Sequence, residues 1–334
     1  MFDWNQPNDP QAASQVGHRA FDYANGFGTA FGGFDTSYTT KDERATVHLD
    51  LRFGEGAARL IGQNGNDTWA VLNQAYVTLV PYESKKLSLD FGQFNTIYGA
   101  EVANSWENLN YTRGALYYLM QPFYHTGIRA NYAASDSFGL TFMVVNGTNN
   151  PIDNNQTPHV GVQASFALSD AISAVVGYYG GAGSSGFGNT DEPSSEDDFE
   201  HFVDVVINAA FGKVSVVGNF DLYISGDESG RNQETGELQS STYWGASLAV
   251  GYQATDKVGI AVRGELLKDD DLYIGNTTQL TTGTFTLDYR AVDHVIIRLD
   301  QRFESADDEI FVGKDGDMEK TWMSTTIGVV VTSN

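Results

Sequence analysis

His294-Val295-Ile296-Ile297-Arg298-Leu299-Asp300-Gln301-Arg302-Phe303-Glu304 is the stretch that decides how this chain folds. His294, Arg298, Asp300, Arg302 and Glu304 hold even positions, and Val295, Ile297, Leu299 and Phe303 hold odd ones. Successive side chains of an extended strand point to opposite faces, so the segment has one polar and one apolar face. A strand built this way stands between two different solvents. It also outruns the roughly five or six residues of an ordinary strand and reaches the ~10 that a tilted strand needs to cross hydrocarbon.

The pattern repeats along the chain. In 44–53, Arg44, Thr46, His48, Asp50 and Arg52 alternate with Ala45, Val47, Leu49, Leu51 and Phe53. Segments 86–94 and 257–266 are further clear copies, and weaker ones lie near 25–38, 69–80, 125–133, 137–147, 159–168, 171–180, 200–211, 213–224, 241–253, 279–289 and 320–331. No segment of that length has a helical period. None approaches the ~18 consecutive apolar residues of a membrane-spanning helix.

The connections alternate strictly. Short ones lie at 39–43, 81–85, 134–136, 169–170, 212, 254–256 and 290–291; long ones lie at 54–68, 95–124, 148–158, 181–199, 225–240, 267–278 and 305–319. All long loops then gather at one end of the sheet and all tight turns at the other. A soluble sandwich has no reason to keep that asymmetry, whereas bacterial outer-membrane barrels combine short periplasmic turns with long extracellular loops. The expected fold is all-β: a single transmembrane antiparallel up-and-down β-barrel over 1–334, with about sixteen strands. Fifteen strands are visible, and single-chain barrels carry an even number with both termini inside. Residues 1–24 are therefore expected outside, with Phe2-Asp3-Trp4 as the remnant of a truncated first strand.

Composition removes other classes. Lys plus Arg is 19 against 43 Asp plus Glu, a net charge of −24. Nucleic-acid binding needs a basic face, so no nucleic acid is expected as a partner. There is no cysteine, which excludes thiolate metal sites and catalytic thiols. The six histidines sit in no Ser/His/acid setting, and Gly180-Gly181-Ala182-Gly183 leads into an acidic loop rather than a helix. No enzyme and no catalytic residue is expected.

Two phrases carry a family likeness. Asn108-Leu109-Asn110-Tyr111-Thr112-Arg113, followed by Gln121-Pro122-Phe123-Tyr124-His125-Thr126-Gly127-Ile128-Arg129-Ala130, resembles the putative β-barrel porin-2 (OmpL-like) family. Leu49-Asp50-Leu51-Arg52-Phe53-Gly54 and, more loosely, Asn73-Gln74-Ala75-Tyr76-Val77 resemble it too. The motifs cluster in the first 150 residues or so. The resemblance implies an outer-membrane channel of poorly defined substrate, with a strand ahead of the segment that opens this chain.

The polar faces supply the expected pore lining: Arg44, His48, Asp50, Arg52, Lys86, Asp90, Arg129, Asp204, Asp221, Arg263, Glu265, Asp288, Arg298, Asp300 and Arg302. Cations and anions in that set balance, so the wall reads as near neutral, with the acid excess in loops and turns. Such charges either set a transverse field across the pore or merely pair along the strands. The loop at 95–124 is the longest and is rich in aromatic and aliphatic residues. It should fold inward as a constriction, presenting Trp106, Tyr111, Tyr117 and Tyr118 and projecting Arg113 into the pore, or pack against a neighbouring subunit; a lid over the rim is the alternative.

The acidic loops form a mouth that concentrates cations. Asp269, Asp270, Asp271, Asp315 and Asp317 are weak Ca²⁺ candidates, since that ion prefers clustered oxygen ligands. No EF-hand spacing is present, and no other cofactor is expected. The sequence thus predicts an integral protein of the bacterial outer membrane, contacting lipid and passing ions and small hydrophilic solutes with a mild cation preference. A homotrimer is expected by fold analogy. The rival reading is a plugged structural or adhesive barrel whose loops bind a partner.

Overall fold

The computed structural model describes residues 2–3, 26–30, 32–54, 56–57, 71–153, 157–182, 199–226, 230–231, 238–269 and 277–333. Its main element is one antiparallel sheet. The strands are β1 (Phe2–Asp3), β2 (Gly32–Thr39), β3 (Ala45–Phe53), β4 (Leu72–Leu79), β5 (Leu87–Asn95), β6 (Tyr124–Ser135), β7 (Phe138–Val145), β8 (His159–Ser169), β9 (Ile172–Ala182), β10 (Phe199–Phe211) and β11 (Val214–Ile224). After them come β14 (Thr242–Gln253), β15 (Val258–Asp269), β16 (Gln279–Val292), β17 (Val295–Ala306) and β20 (Thr321–Val331). The pairs β12 (Gly230–Arg231) with β13 (Leu238–Gln239), and β18 (Phe311–Val312) with β19 (Met318–Glu319), are small ribbons within the long loops. One short helix, α1 (Ala115–Met120), interrupts the loop between β5 and β6.

Each long strand pairs with its neighbours in sequence, an up-and-down meander from β2 to β20. The connections keep the predicted alternation, down to the turn at Gly212, whose φ of 61° lies where a side chain is disfavoured. The short β1 pairs with β20, Phe2 opposite Thr325 and Asp3 opposite Ser324. Among the described residues, no ladder joins β1 or β20 to β2. Most of the expected outer segment 1–24 lies outside the described residues.

The burial pattern is that of a soluble protein turned inside out. Along β17, Ile297 and Phe303 are 38% and 49% exposed, while Arg298, Asp300, Arg302 and Glu304 are at most 2% exposed. The same inversion runs through β15 and β20: Val262 and Ile327 are exposed, and Arg263, Glu265 and Ser324 are buried. An apolar outer band around a polar interior is the arrangement hydrocarbon demands, because only a closed strand network satisfies every backbone group there. This is a transmembrane β-barrel.

Candidate functional site

The barrel's interior is organised by the chain between β5 and β6. That loop folds into the lumen and packs against the inner faces of β8 to β20. Helix α1 begins at Gly114 without a side-chain cap of its own. The first N–H groups of a helix have no partner within it and attract negative charge. Here one wall carboxylate and one of the loop's own supply it. Glu265 of β15 accepts from the Ala115 and Leu116 amides at 3.1 and 3.2 Å, and Glu101 accepts from Gly114 at 2.6 Å.

Wall charges hold the rest of the loop in the same manner. Asp300 accepts from the Thr112 amide and hydroxyl at 2.7 and 2.9 Å. Arg298, gripped by Asp288 at 2.7 and 2.9 Å, donates to the carbonyls of Ser105, Asn108 and Leu109. Arg263 pairs with Glu101 and donates to Thr112 O at 3.0 Å; Arg302 donates to Arg113 O at 3.0 Å. On β10 and β11, Asn219 links Asp204 and Asp221 at 3.0 Å each, and Gln121 of the loop donates to Asp221 at 2.7 Å. Charge-assisted bonds of this kind are about twice as strong as neutral ones, and those of Glu265, Arg298 and Arg302 terminate in loop backbone.

Wall glycines seat the loop's side chains. A Cβ on Gly328 would lie 2.2 Å from the Tyr111 ring, on Gly177 2.6 Å from Tyr98, on Gly245 2.8 Å from Met120, and on Gly251 2.8 Å from Leu109. All four glycines lie on inward-facing positions. Around α1, Leu116 and Met120 pack with Phe94, Phe202, Tyr223, Tyr243, Leu267 and Trp322 into an apolar core inside the lumen. Tyr117 turns to a second cluster with Ala57, Phe123 and Tyr124, where burial pushes its phenol far above the ordinary range.

On β2 to β7 the inner face is covered near the loop end, where Phe94, His125 and Met143 are buried, and opens towards the turns. On these strands Asp35 is exposed, and His48, Gln74, Tyr76, Thr78, Arg129, Asn131 and Thr141 are half-buried. His48 and Tyr76 stack at 4.4 Å between centroids. Asp90 accepts from Thr78, Arg129 and Asn131 at 2.7–2.9 Å, and Asp50 pairs with Arg52 at 3.0 Å.

Several expectations need correction. Arg44 and Lys86 sit at the turn end, bonding the carbonyls of Val80, Pro81 and Ala134 rather than lining the lumen. The near-neutral wall does not hold: Asp35, Glu200, Asp269 and Glu304 also lie on inward-facing strand positions, against one added cation, Arg290 at the turn end of β16. Arg113 is 2% exposed and bonds Val102 O, so it is packed between loop and wall instead of projecting into the pore. Trp106 is half-buried, with the Arg52 guanidinium 5.5 Å from its ring, and Tyr118 stacks on Phe123. On β15 to β17 the charges pair along and between strands, Arg263 with Glu265, Arg302 with Glu304 and Arg298 with Asp288, and also bond the loop.

Sequence reasoning missed the glycine sockets and the loop anchors Glu101, Gln121 and Asn219. The signal was available for the glycines, which share parity with the inward polar residues of their strands. Among the Ca²⁺ candidates, Asp269 is buried on β15, Asp315 and Asp317 are exposed in the turn between β18 and β19, and Asp270 and Asp271 lie outside the described residues. Among the described residues, no group of three or more His, Asp or Glu side chains is placed to hold a metal ion.

A membrane barrel of this size, with a polar lumen narrowed by an inward loop, defines the porin class of outer-membrane channels. The chain belongs to the family described as Putative beta-barrel porin-2, OmpL-like, whose model matches residues 2–332, and it is an integral protein of the outer membrane. Solved structures share the fold at low identity. OmpT of Vibrio cholerae, in a trimer form, is 14% identical with TM-score 0.58, covering 91% of each chain. The anion-selective porin of Comamonas acidovorans is 10% identical with TM-score 0.57, covering 86% of this chain and 84% of that one. The channel DcaP of Acinetobacter baumannii is 10% identical with TM-score 0.57, covering 90% and 85%. No curated protein sequence matches the chain.

Proposed function

We propose that this barrel is a passive pore for ions and small hydrophilic solutes, preferring cations, with transit along the β2 to β7 side of the lumen. The observation that carries the reading is the inner charge count. The inward strand carboxylates Asp35, Asp50, Asp90, Glu200, Asp204, Asp221, Glu265, Asp269, Asp288, Asp300 and Glu304 outnumber Arg52, Arg129, Arg263, Arg290, Arg298 and Arg302. A low-dielectric wall focuses that excess into the water column and raises the local cation concentration. The anion-selective Comamonas porin has the same fold, so preference follows the side chains and not the architecture.

Planar-bilayer recording tests this directly. Stepwise conductance with a reversal potential on the cation side is expected; anion selectivity would overturn it. Deleting 97–121 separates the pore from the rival plugged barrel. Conductance rises if the loop constricts a pore and stays absent if the lumen is closed elsewhere. The homotrimer is proposed on fold analogy alone; migration of unheated protein in mild detergent as a single-chain species would contradict it.

A further inference from the structure

The ring stack on the open wall has two ends, and they differ. Ser37, His48, Tyr76 and Gly92 lie directly opposite one another across β2, β3, β4 and β5. His48 and Tyr76 stack with an interplanar angle of 16°. Both flanking residues are small, so neither outer face of the stack is covered by its cross-strand neighbour. On the Gly92 side the chain fills the space itself. The Arg129 guanidinium lies 5.7 Å from the Tyr76 ring centroid and 4.3 Å from that of Phe94, and Asp90 neutralises it at 2.8 Å.

Among the described residues, the Ser37 side repeats these components without the guanidinium. Asp35 is two residues from Ser37 on the same face of β2, opposite Asp50, and it is exposed. Asp50 already has Arg52 at 3.0 Å. An aromatic face beside a carboxylate attracts a cation through the ring quadrupole and the charge together, and guanidinium suits both by its planarity. Arg52 over Trp106 at 5.5 Å is another instance of that pairing in the same lumen. The strand rings elsewhere inside the barrel, such as Phe202, Tyr223, Tyr243 and Trp322, are at most 1% exposed, whereas this pair is half-buried.

We propose that Asp35 and the His48–Tyr76 stack form a lumenal binding subsite for organic cations bearing a guanidinium or amine. This rests on the pore reading and names the solute class that the pore would retain in transit. A solute cation on the His48 face would mirror Arg129 on the Tyr76 face, with Asp35 in the role of Asp90.

The test uses the whole barrel in a planar bilayer in potassium chloride, with argininamide as the probe and glucose as the neutral control. Argininamide should interrupt the potassium current in resolved blocks, and glucose should not. Asp35→Asn and His48→Ala should each weaken block about threefold to tenfold, the range of one cation–π or exposed charge contact. His48→Phe, which keeps the ring, should retain it. Stepwise unblocked conductance in each variant shows a folded channel, and block is scored against that variant's own open level. Conducting channels that argininamide fails to block, or blocks equally in Asp35→Asn and His48→Ala, would overturn the subsite and leave the pore reading intact. Absence of any conductance in the wild type would overturn the pore reading and the subsite together.

Discussion

The inner faces of β2–β7 and of β14–β20 carry the same kinds of side chain and use them differently. On β15 to β17, Arg263, Arg298, Arg302, Glu265 and Asp300 are buried and end on loop backbone. On β3 to β6, Asp90 and Arg129 end on each other and on strand side chains, and their neighbours remain half-exposed. The contrast teaches that a polar lumen is not by itself a water column. Whether an inward charge faces water depends on what the longest loop does with it.

The largest break in the comparison should come from the filled side. Arg263 is 2% exposed and compensates Glu101 and Glu265 together. Removing one partner of a buried ionic group leaves the others uncompensated, at a cost of about 3–5 kcal/mol. Arg263→Met should therefore lower barrel stability by that order in urea titration and raise conductance by loosening the loop. Arg129→Met, on the open side, should do much less of both. Equal effects would erase the distinction.

The next effect lies outside the lumen, where the two sides should agree. Ile297 and Leu140 are both exposed on the outer face. An Arg at the bilayer midplane costs about 2–4 kcal/mol in such barrels. Ile297→Arg and Leu140→Arg should both impair insertion into lipid vesicles, scored by heat-modifiable migration. Normal insertion of either variant would show that its strand face has been misassigned.

A smaller effect concerns the sockets. Gly328→Val places side-chain atoms where the Tyr111 ring sits, and overpacking of this kind costs about 1–3 kcal/mol. Loop displacement should appear as raised conductance and increased protease cleavage near residue 111. Gly139→Val, on the open side, meets only the Ser165 hydroxyl and a more distant carbonyl, and should change neither readout. The smallest effect is at the turn end. Lys85 pairs with Glu43 there and holds its carboxyl below the usual range. A depressed carboxylate stabilises above its unfolded pKa and loses that contribution as pH falls through the folded value. Both partners are exposed, so screening leaves little to lose. Glu43→Gln should leave the acid unfolding curve unshifted.

The fold was legible because lipid imposes a period of two on every strand, and Ile297 against Arg298 states it within two residues. The inward turn of 95–124 was legible for a related reason: a loop with Leu116, Tyr117 and Met120 has to bury them. The loop's docking was not. Periodicity gives the face of Asp300 and Arg298 but not their partners, which lie 188 to 193 residues away in sequence. Asp35 was missed because β2 reads as a weak, mostly small and polar strand, and Glu304, though on the polar face of its strand, was left out of the lining as the residue that closes it. With Glu200 and Asp269 these omissions outnumber the one omitted cation, Arg290, which is why the wall first looked neutral.

Cysteine accessibility tests the division of the lumen most directly, since the native chain has no thiol. Single cysteines would be placed by Thr78→Cys on the open wall, Thr286→Cys beneath the loop and Ile297→Cys on the lipid face. Each would be treated with a small membrane-impermeant thiol reagent in the folded barrel. The account predicts fast reaction at 78, protection at 286 that is lost when the loop is released by Asp300→Ala, and no reaction at 297 in either background. Equal rates at 78 and 286 in the intact barrel would contradict it.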